Sequence, residues 1–107
     1  MTTFDKREEG FEKRFALDEE SRFKALARRN KRLGLWAAEK LGLTGEAAEA
    51  YAKEVVLVDL EEHGDEDVVR KLRADFDAKS VDVSEHQIRR TMDELLAQAV
   101  QEVGSAS

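Results

Sequence analysis

The sequence contains no cysteine and no proline, and its 107 residues include one tryptophan, one tyrosine and two histidines. Without cysteine there is neither a disulfide framework nor a thiolate metal centre. Without proline, only glycine and capping side chains stop a helix. The apolar runs are a few residues long, as at 55–58, too short for a membrane-spanning helix. The first ten residues carry charges with no apolar stretch behind them, so no secretory leader is expected and the protein is expected to be cytoplasmic. The length suits one domain. Apolar residues make up 41% and charged residues 39%, which implies a small core wrapped in long solvated faces.

The charge is uneven. Residues 1–32 hold ten Lys and Arg against seven Asp and Glu, whereas the remainder holds eight against seventeen. Between residues 22 and 32, Arg22, Lys24, Arg28, Arg29, Lys31 and Arg32 have no acidic neighbour in sequence. Such a surface suits an acidic partner or phosphate. The alternative reading is a solvated helix face balanced by acidic helices beside it.

Four segments show helical apolar spacing and none shows sustained strand alternation, so an all-α four-helix bundle is expected, spanning residues 20–104 with helices near 20–41, 45–63, 66–78 and 85–103. On a wheel of about 100° per residue started at Phe4, the first helix turns Phe23, Leu26, Leu33, Ala37 and Leu41 inward, between about 20° and 100°. Lys24, Arg28, Lys31 and Arg32 lie opposite. Gly42 supplies a stop. Thr44 is the expected N-cap of the second helix, whose inner side carries Ala48, Tyr51, Ala52, Val55 and Val58 or Asp59, with Gly64 as its end. Asp65 is the expected N-cap of the third helix, through Val69, Leu72 and Phe76. Ser84 with Gln87 forms a capping box for the fourth, Val83 can staple onto Ile88, and Ile88, Met92, Leu95, Ala99 and Val103 form its stripe. Acid-before-base pairs four residues apart support helix throughout: Glu9 to Lys13, Asp18 to Arg22, Glu20 to Lys24, Glu49 to Lys53, Glu66 to Arg70, Asp67 to Lys71 and Glu85 to Arg89.

Residues 1–19 exceed what such a bundle needs, because residues 22–41 already match helices about 30 Å long. They form an expected mobile arm. Phe4, Phe11 and Phe15 fall at about 0°, 340° and 20° of the same wheel, one apolar seam with no helix left over to cover it. An unpaired seam implies docking into a groove of another protein, or self-association. Gly10 weakens the arm as a free helix, so it is expected to be disordered alone and helical when bound. Alternatively the arm folds back and adds its phenylalanines to the core.

Catalytic chemistry is thin. His63 and His86 flank the third helix without a metal-binding spacing, and Glu61, Glu62, Asp65, Glu66 and Asp67 lack the alternation of a calcium loop. A solvated turn explains them, and no metal is expected. There is no glycine-rich phosphate cradle and no nucleophile paired with a base, so the protein is expected not to be an enzyme. The string 28–32 resembles a basic nucleic-acid patch, but a net charge of −6 repels a phosphate backbone and no nucleic acid is expected as partner. Tyr51 is expected in the core, Trp36 at its edge and Leu35 facing outward.

Residues 27–39, which read ARRNKRLGLWAAE, residues 44–56, TGEAAEAYAKEVV, and residues 86–96, HQIRRTMDELL, resemble the ζ subunit family, the ATPase inhibitor of alphaproteobacterial F-type ATP synthases. The resemblance covers nearly the whole chain. It implies a four-helix bundle with a mobile N-terminal inhibitory segment that enters a catalytic interface of the synthase head, among its α, β and γ subunits, becomes helical there and blocks ATP hydrolysis while the bundle stays outside. Carried onto this sequence, that segment is residues 2–17, with Phe4, Phe11 and Phe15 as apolar anchors and Lys6, Arg7, Lys13 and Arg14 as charge contacts. The resemblance further implies a cytoplasmic protein held peripherally at the inner membrane through the synthase, without inserting into the bilayer and monomeric when free. No cofactor is implied beyond weak adenine nucleotide binding, for which Lys24, Arg28, Lys31 and Arg32 are the candidate phosphate contacts. The competing readings are a nucleotide- or nucleic-acid-binding helical module using that basic face, and an adaptor for an unrelated helical partner.

Overall fold

Local signals in the chain decide where each helix starts and stops. The computed structural model describes residues 18–62 and 65–106. Regular structure among them consists of α1 (Glu19–Lys40), α2 (Gly45–Glu62), α3 (Asp65–Ala78) and α4 (Glu85–Ala106). The all-α class and the four-helix expectation hold, with helix ends within three residues of those read from sequence. The arm from Met1 to Leu17, with its Glu9 to Lys13 pair, lies outside the described residues, as do His63 and Gly64.

Asp18 caps α1. Its backbone is extended, at φ −61° and ψ 168°, and its carboxylate accepts the Ser21 amide at 2.7 Å. That hydrogen bond holds the Asp18 carboxyl below its ordinary range. At the other end Gly42 takes the left-handed conformation, φ 80°, its amide donating to Glu39 O at 3.1 Å while the Leu43 amide donates to Ala38 O at 2.8 Å. This pair of bonds is a Schellman closure, which needs a residue that tolerates positive φ. Ser80, at φ 56°, closes α3 in the same way, with the Val81 amide on Phe76 O at 2.8 Å. The capping box of α4 forms as expected: the Gln87 amide donates to Ser84 Oγ at 3.1 Å, and the Ser84 amide to Gln87 Oε1 at 2.9 Å. Thr44 sits just before α2, its carbonyl accepting the Ala47 and Ala48 amides.

In the bundle α1 and α3 each pack against both α2 and α4. Leu33, Ala37, Val55, Val68, Leu72, Phe76 and Ile88 are completely enclosed, each large aliphatic or aromatic side chain contributing about 1.5–3 kcal/mol by leaving water. A smaller cluster of Ala25, Ala99, Val100 and Val103 joins α1 to the end of α4. Tyr51, Ala52, Met92 and Leu41 are buried as expected; Ala48, Val58, Val83 and Leu95 pack partly exposed against the core, and Leu26 is half-buried.

Several expectations need correction. Phe23, placed inward by the wheel, is 54% exposed. Its angle is correct, since Leu41, eighteen residues or five full turns further on, is buried. Its height is the problem. Asn30 meets Asp59, three residues from the end of α2, and Phe23 lies about 10 Å further toward the start of α1, past the last turn of α2. Asp65 is the first residue of α3 rather than its cap, and its carboxylate receives Arg29 instead. Asp59 likewise takes an interhelical partner, whereas Val58 supplies the apolar contact. Of the expected charge pairs, Glu20 to Lys24 and Glu85 to Arg89 form, at 3.3 and 3.0 Å. Glu66 turns to Arg89, leaving Arg70 to Asp67, and Lys71 goes to Asp75 and Glu54. Helix-local pairs are worth a few tenths of a kcal/mol, so an interhelical partner displaces them readily.

Candidate functional site

The sequence offered two candidate surfaces, the arm and the basic face of α1. The arm residues Phe4, Lys6, Arg7, Phe11, Lys13, Arg14 and Phe15 lie outside the described residues. The basic face is described in full, and folding supplies the carboxylates that its sequence neighbourhood lacks.

Glu102, seventy residues away on α4, accepts Arg32 twice, Nη1 on Oε2 at 3.0 Å and Nη2 on Oε1 at 2.6 Å, and Arg28 Nη1 at 3.3 Å. Bidentate geometry of this kind is the strong form of an arginine–carboxylate pair. Lys24 is held by Glu20 at 3.3 Å. Lys31 is exposed and forms no ion pair among the described residues. Two of the four candidate phosphate contacts are therefore engaged in joining α1 to α4, and the face is much less positive than its sequence suggests.

The hydrogen bonds from Arg32, with a smaller contribution from Arg28, hold the Glu102 carboxyl below the ordinary carboxylate range. A carboxyl lowered in the native state adds stability that is fully present above its unfolded value and is lost as the pH falls through its native value. Between about pH 6 and about pH 3, the thermal midpoint of Glu102→Gln should therefore fall less than that of the parent chain. Parallel melting curves of the two proteins check this, and identical acid sensitivity would remove Glu102 from the acid response.

Arg29 behaves differently from the rest of the basic run. It is 1% exposed, its Nε donating to Asn30 Oδ1 at 3.0 Å and its Nη2 to Asp65 Oδ1 at 2.8 Å. Asn30, equally buried, donates from Nδ2 to Asp59 Oδ2 at 2.9 Å. The two side chains tie the middle of α1 to the end of α2 and the start of α3. The sequence carried the signal: at about 340° on the wheel, Arg29 falls between Ala25 and Leu33, both buried. Its charge disguised it as surface.

Other singled-out residues have structural surroundings. Trp36 packs edge-on to Phe76, ring centroids 6.0 Å apart, with Lys40 Nζ 5.5 Å above its ring. The Tyr51 hydroxyl donates to Asp75 Oδ2 at 2.7 Å while Lys71 covers its ring, and burial together with that carboxylate pushes the phenol well above its ordinary value. His86 is exposed, and Asp65, Glu66 and Asp67 each meet an arginine. No cluster of His, Asp and Glu that could hold a metal occurs among the described residues. Leu35 is half-buried and borders a shallow cleft over α2 with Ala48, Glu49 and Lys53. Among the described residues no helix is long and apolar enough to cross a membrane.

Comparison with known proteins adds what the side chains alone do not. The chain is similar to one whose structure was solved by solution NMR, with 46% sequence identity and a TM-score of 0.68 over 80% of this chain and 98% of that one. No curated protein matches it. The family model for the ATPase inhibitor subunit zeta matches residues 1–102, which takes in the arm, the basic face of α1 and the capping box of α4, and on that match the chain belongs to the ζ family of ATPase inhibitor subunits.

Proposed function

We propose that this protein inhibits ATP hydrolysis by F-type ATP synthase by seating residues 2–17, as an amphipathic helix, in a catalytic interface of the synthase head. Phe4, Phe11 and Phe15 enter the apolar groove, and Lys6, Arg7, Lys13 and Arg14 meet charges at its rim. Rotation stops because the wedge keeps the interface from cycling. No bond is made or broken by the inhibitor, which acts as a binding protein rather than an enzyme, and the bundle stays outside the head, reaching the membrane surface only through the synthase.

One observation carries this reading. Apart from Phe23 and Leu57, the large apolar side chains described on α1, α2, α3 and α4 are buried or partly buried, down to complete enclosure of Leu33, Leu72, Phe76 and Ile88, so these four helices build a core without drawing on the seam of three phenylalanines. Membership of an inhibitor family whose match begins at residue 1 points the same way.

The test is hydrolysis of ATP by the isolated synthase head. Full-length protein should inhibit, and protein lacking residues 2–17 should not, while both melt at nearly the same temperature. Phe4→Ala, Phe11→Ala and Phe15→Ala combined should weaken inhibition more than neutralising the four basic arm residues. Undiminished inhibition by the truncated protein would rule the wedge out.

A further inference from the structure

Two large apolar side chains stand in solvent among the described residues, Phe23 at 54% and Leu57 at 52% exposure. They differ in position. Leu57 is on α2 and borders a shallow cleft with Lys31 and Val56. Phe23 is in the second turn of α1, five residues or about 7 Å from Asp18, where the arm joins. It faces the side on which Leu41 is buried, at a level past the end of α2. The bundle therefore presents a half-naked ring at the root of its own arm.

We propose that Phe23 belongs to the inhibitory contact, so that the surface gripping the synthase head continues from the arm onto the first two turns of α1 and the ring enters an apolar recess of the head. This rests on the reading of the arm as the inhibitory segment. A partner that encloses Phe15 is separated from Phe23 by only eight residues of chain. Its near neighbours in the first two turns of α1, Glu19, Glu20 and Lys24, are exposed, so an apolar ring stands among polar residues as at the centre of partner surfaces. A second copy of this chain is a poorer occupant, because a stable dimer needs about 800 Å² from each partner and one half-exposed ring offers a small fraction of that. Leu57, twelve residues past Glu19 as measured by its neighbour Lys31, or about 18 Å along α1, is too far from the arm root to share the contact.

The experiment measures the inhibition constant on the isolated head for full chains carrying Phe23→Ala, Phe23→Leu or Leu57→Ala, beside the chain lacking residues 2–17. Burying the exposed half of a phenylalanine is worth on the order of tenfold in affinity. Phe23→Ala is expected to inhibit about tenfold more weakly at an unchanged melting temperature, Phe23→Leu to recover most of the loss, and Leu57→Ala to match the parent. Amide exchange across residues 19–26 of the parent chain should slow when the head is added, a readout independent of whether Phe23→Ala melts early. Parent-like or stronger inhibition by Phe23→Ala, an equal loss in Leu57→Ala, or unchanged exchange at 19–26 overturns the proposal. If the truncated chain is inert while Phe23→Ala inhibits normally, only the role of Phe23 falls; if the truncated chain inhibits fully, the arm reading falls instead.

Discussion

Replacing Arg29 by alanine should lower the stability of the bundle by about 3 kcal/mol. The side chain is 1% exposed and reaches from α1 to α3, so truncation loses the packing of its long stem. It also leaves Asn30 Oδ1 without the guanidinium donor it accepts at 3.0 Å, and a stranded buried acceptor costs about 1–3 kcal/mol. Asp65 adds less, because its side chain is 55% exposed and water can replace the arginine. The identity of the substitute should therefore matter. Arg29→Met keeps most of the volume and removes the buried cation together with its desolvation cost, so a loss nearer 1 kcal/mol is expected. Arg29→Lys should fare worse than Met, since it keeps a buried cation and its desolvation cost while one ammonium cannot make both bonds to Asn30 and Asp65. Urea unfolding of the three variants gives this order directly, and an alanine variant as stable as the parent would show that the network holds nothing.

Gly34→Ala should destabilise by about 2 kcal/mol, against the usual sign of that exchange. In a helix interior alanine is ordinarily better than glycine by about 1 kcal/mol. Here an added Cβ would stand 2.5 Å from Ala52 Cα and 3.1 Å from Ala52 Cβ. Neither atom is the movable end of a flexible side chain, so α1 and α2 must separate along a tightly apposed interface built from Ala37, Ala38 and Ala52, all completely buried. Overpacking of this sort costs about 1–3 kcal/mol, here at the upper end because the 2.5 Å approach is to backbone, and the propensity gain of about 1 kcal/mol offsets only part of it. For a domain of this size the loss should appear as a fall of about 10 °C in the thermal midpoint. A rise instead would mean that the two helices part freely.

These two residues also show where sequence reasoning reached its limit. Periodicity alone located Leu33, Ala37, Leu41, Ala52, Val55, Ile88, Met92 and Ala99 in the core, because an apolar stripe is a local property of one helix. The Ser84–Gln87 box and the stop at Gly42 were legible for the same reason. Arg29 was hidden by its charge and Gly34 by its smallness, and both acquire meaning only from a neighbour on another helix. The partners of Arg28 and Arg32 were illegible too, since Glu102 lies seventy or more residues away. Phe23 failed through height rather than angle: a wheel gives the direction of a side chain but not where the opposing helix ends. Of the candidate site, the arm was read from the surplus of its seam over the bundle's needs, and for the basic face the reading of a helix face balanced by acidic helices beside it holds, with Glu102 of α4 as the carboxylate that sequence alone did not single out.

The Asp18 cap has a consequence for how the molecule works. The hydrogen-bonded ladder of α1 begins with the Arg22 amide on the Asp18 carbonyl, and the Asp18 carboxylate occupies the next orphan donor, the Ser21 amide. A helix wound upstream of that point cannot simply grow backward out of α1. It must displace the carboxylate, forgoing about 1 kcal/mol of capping, or nucleate a first turn of its own, the step that makes short helices unfavourable in water. On the proposed reading, winding the arm therefore carries a capping or nucleation cost at Asp18, and the surface against which the arm is laid has to offset it.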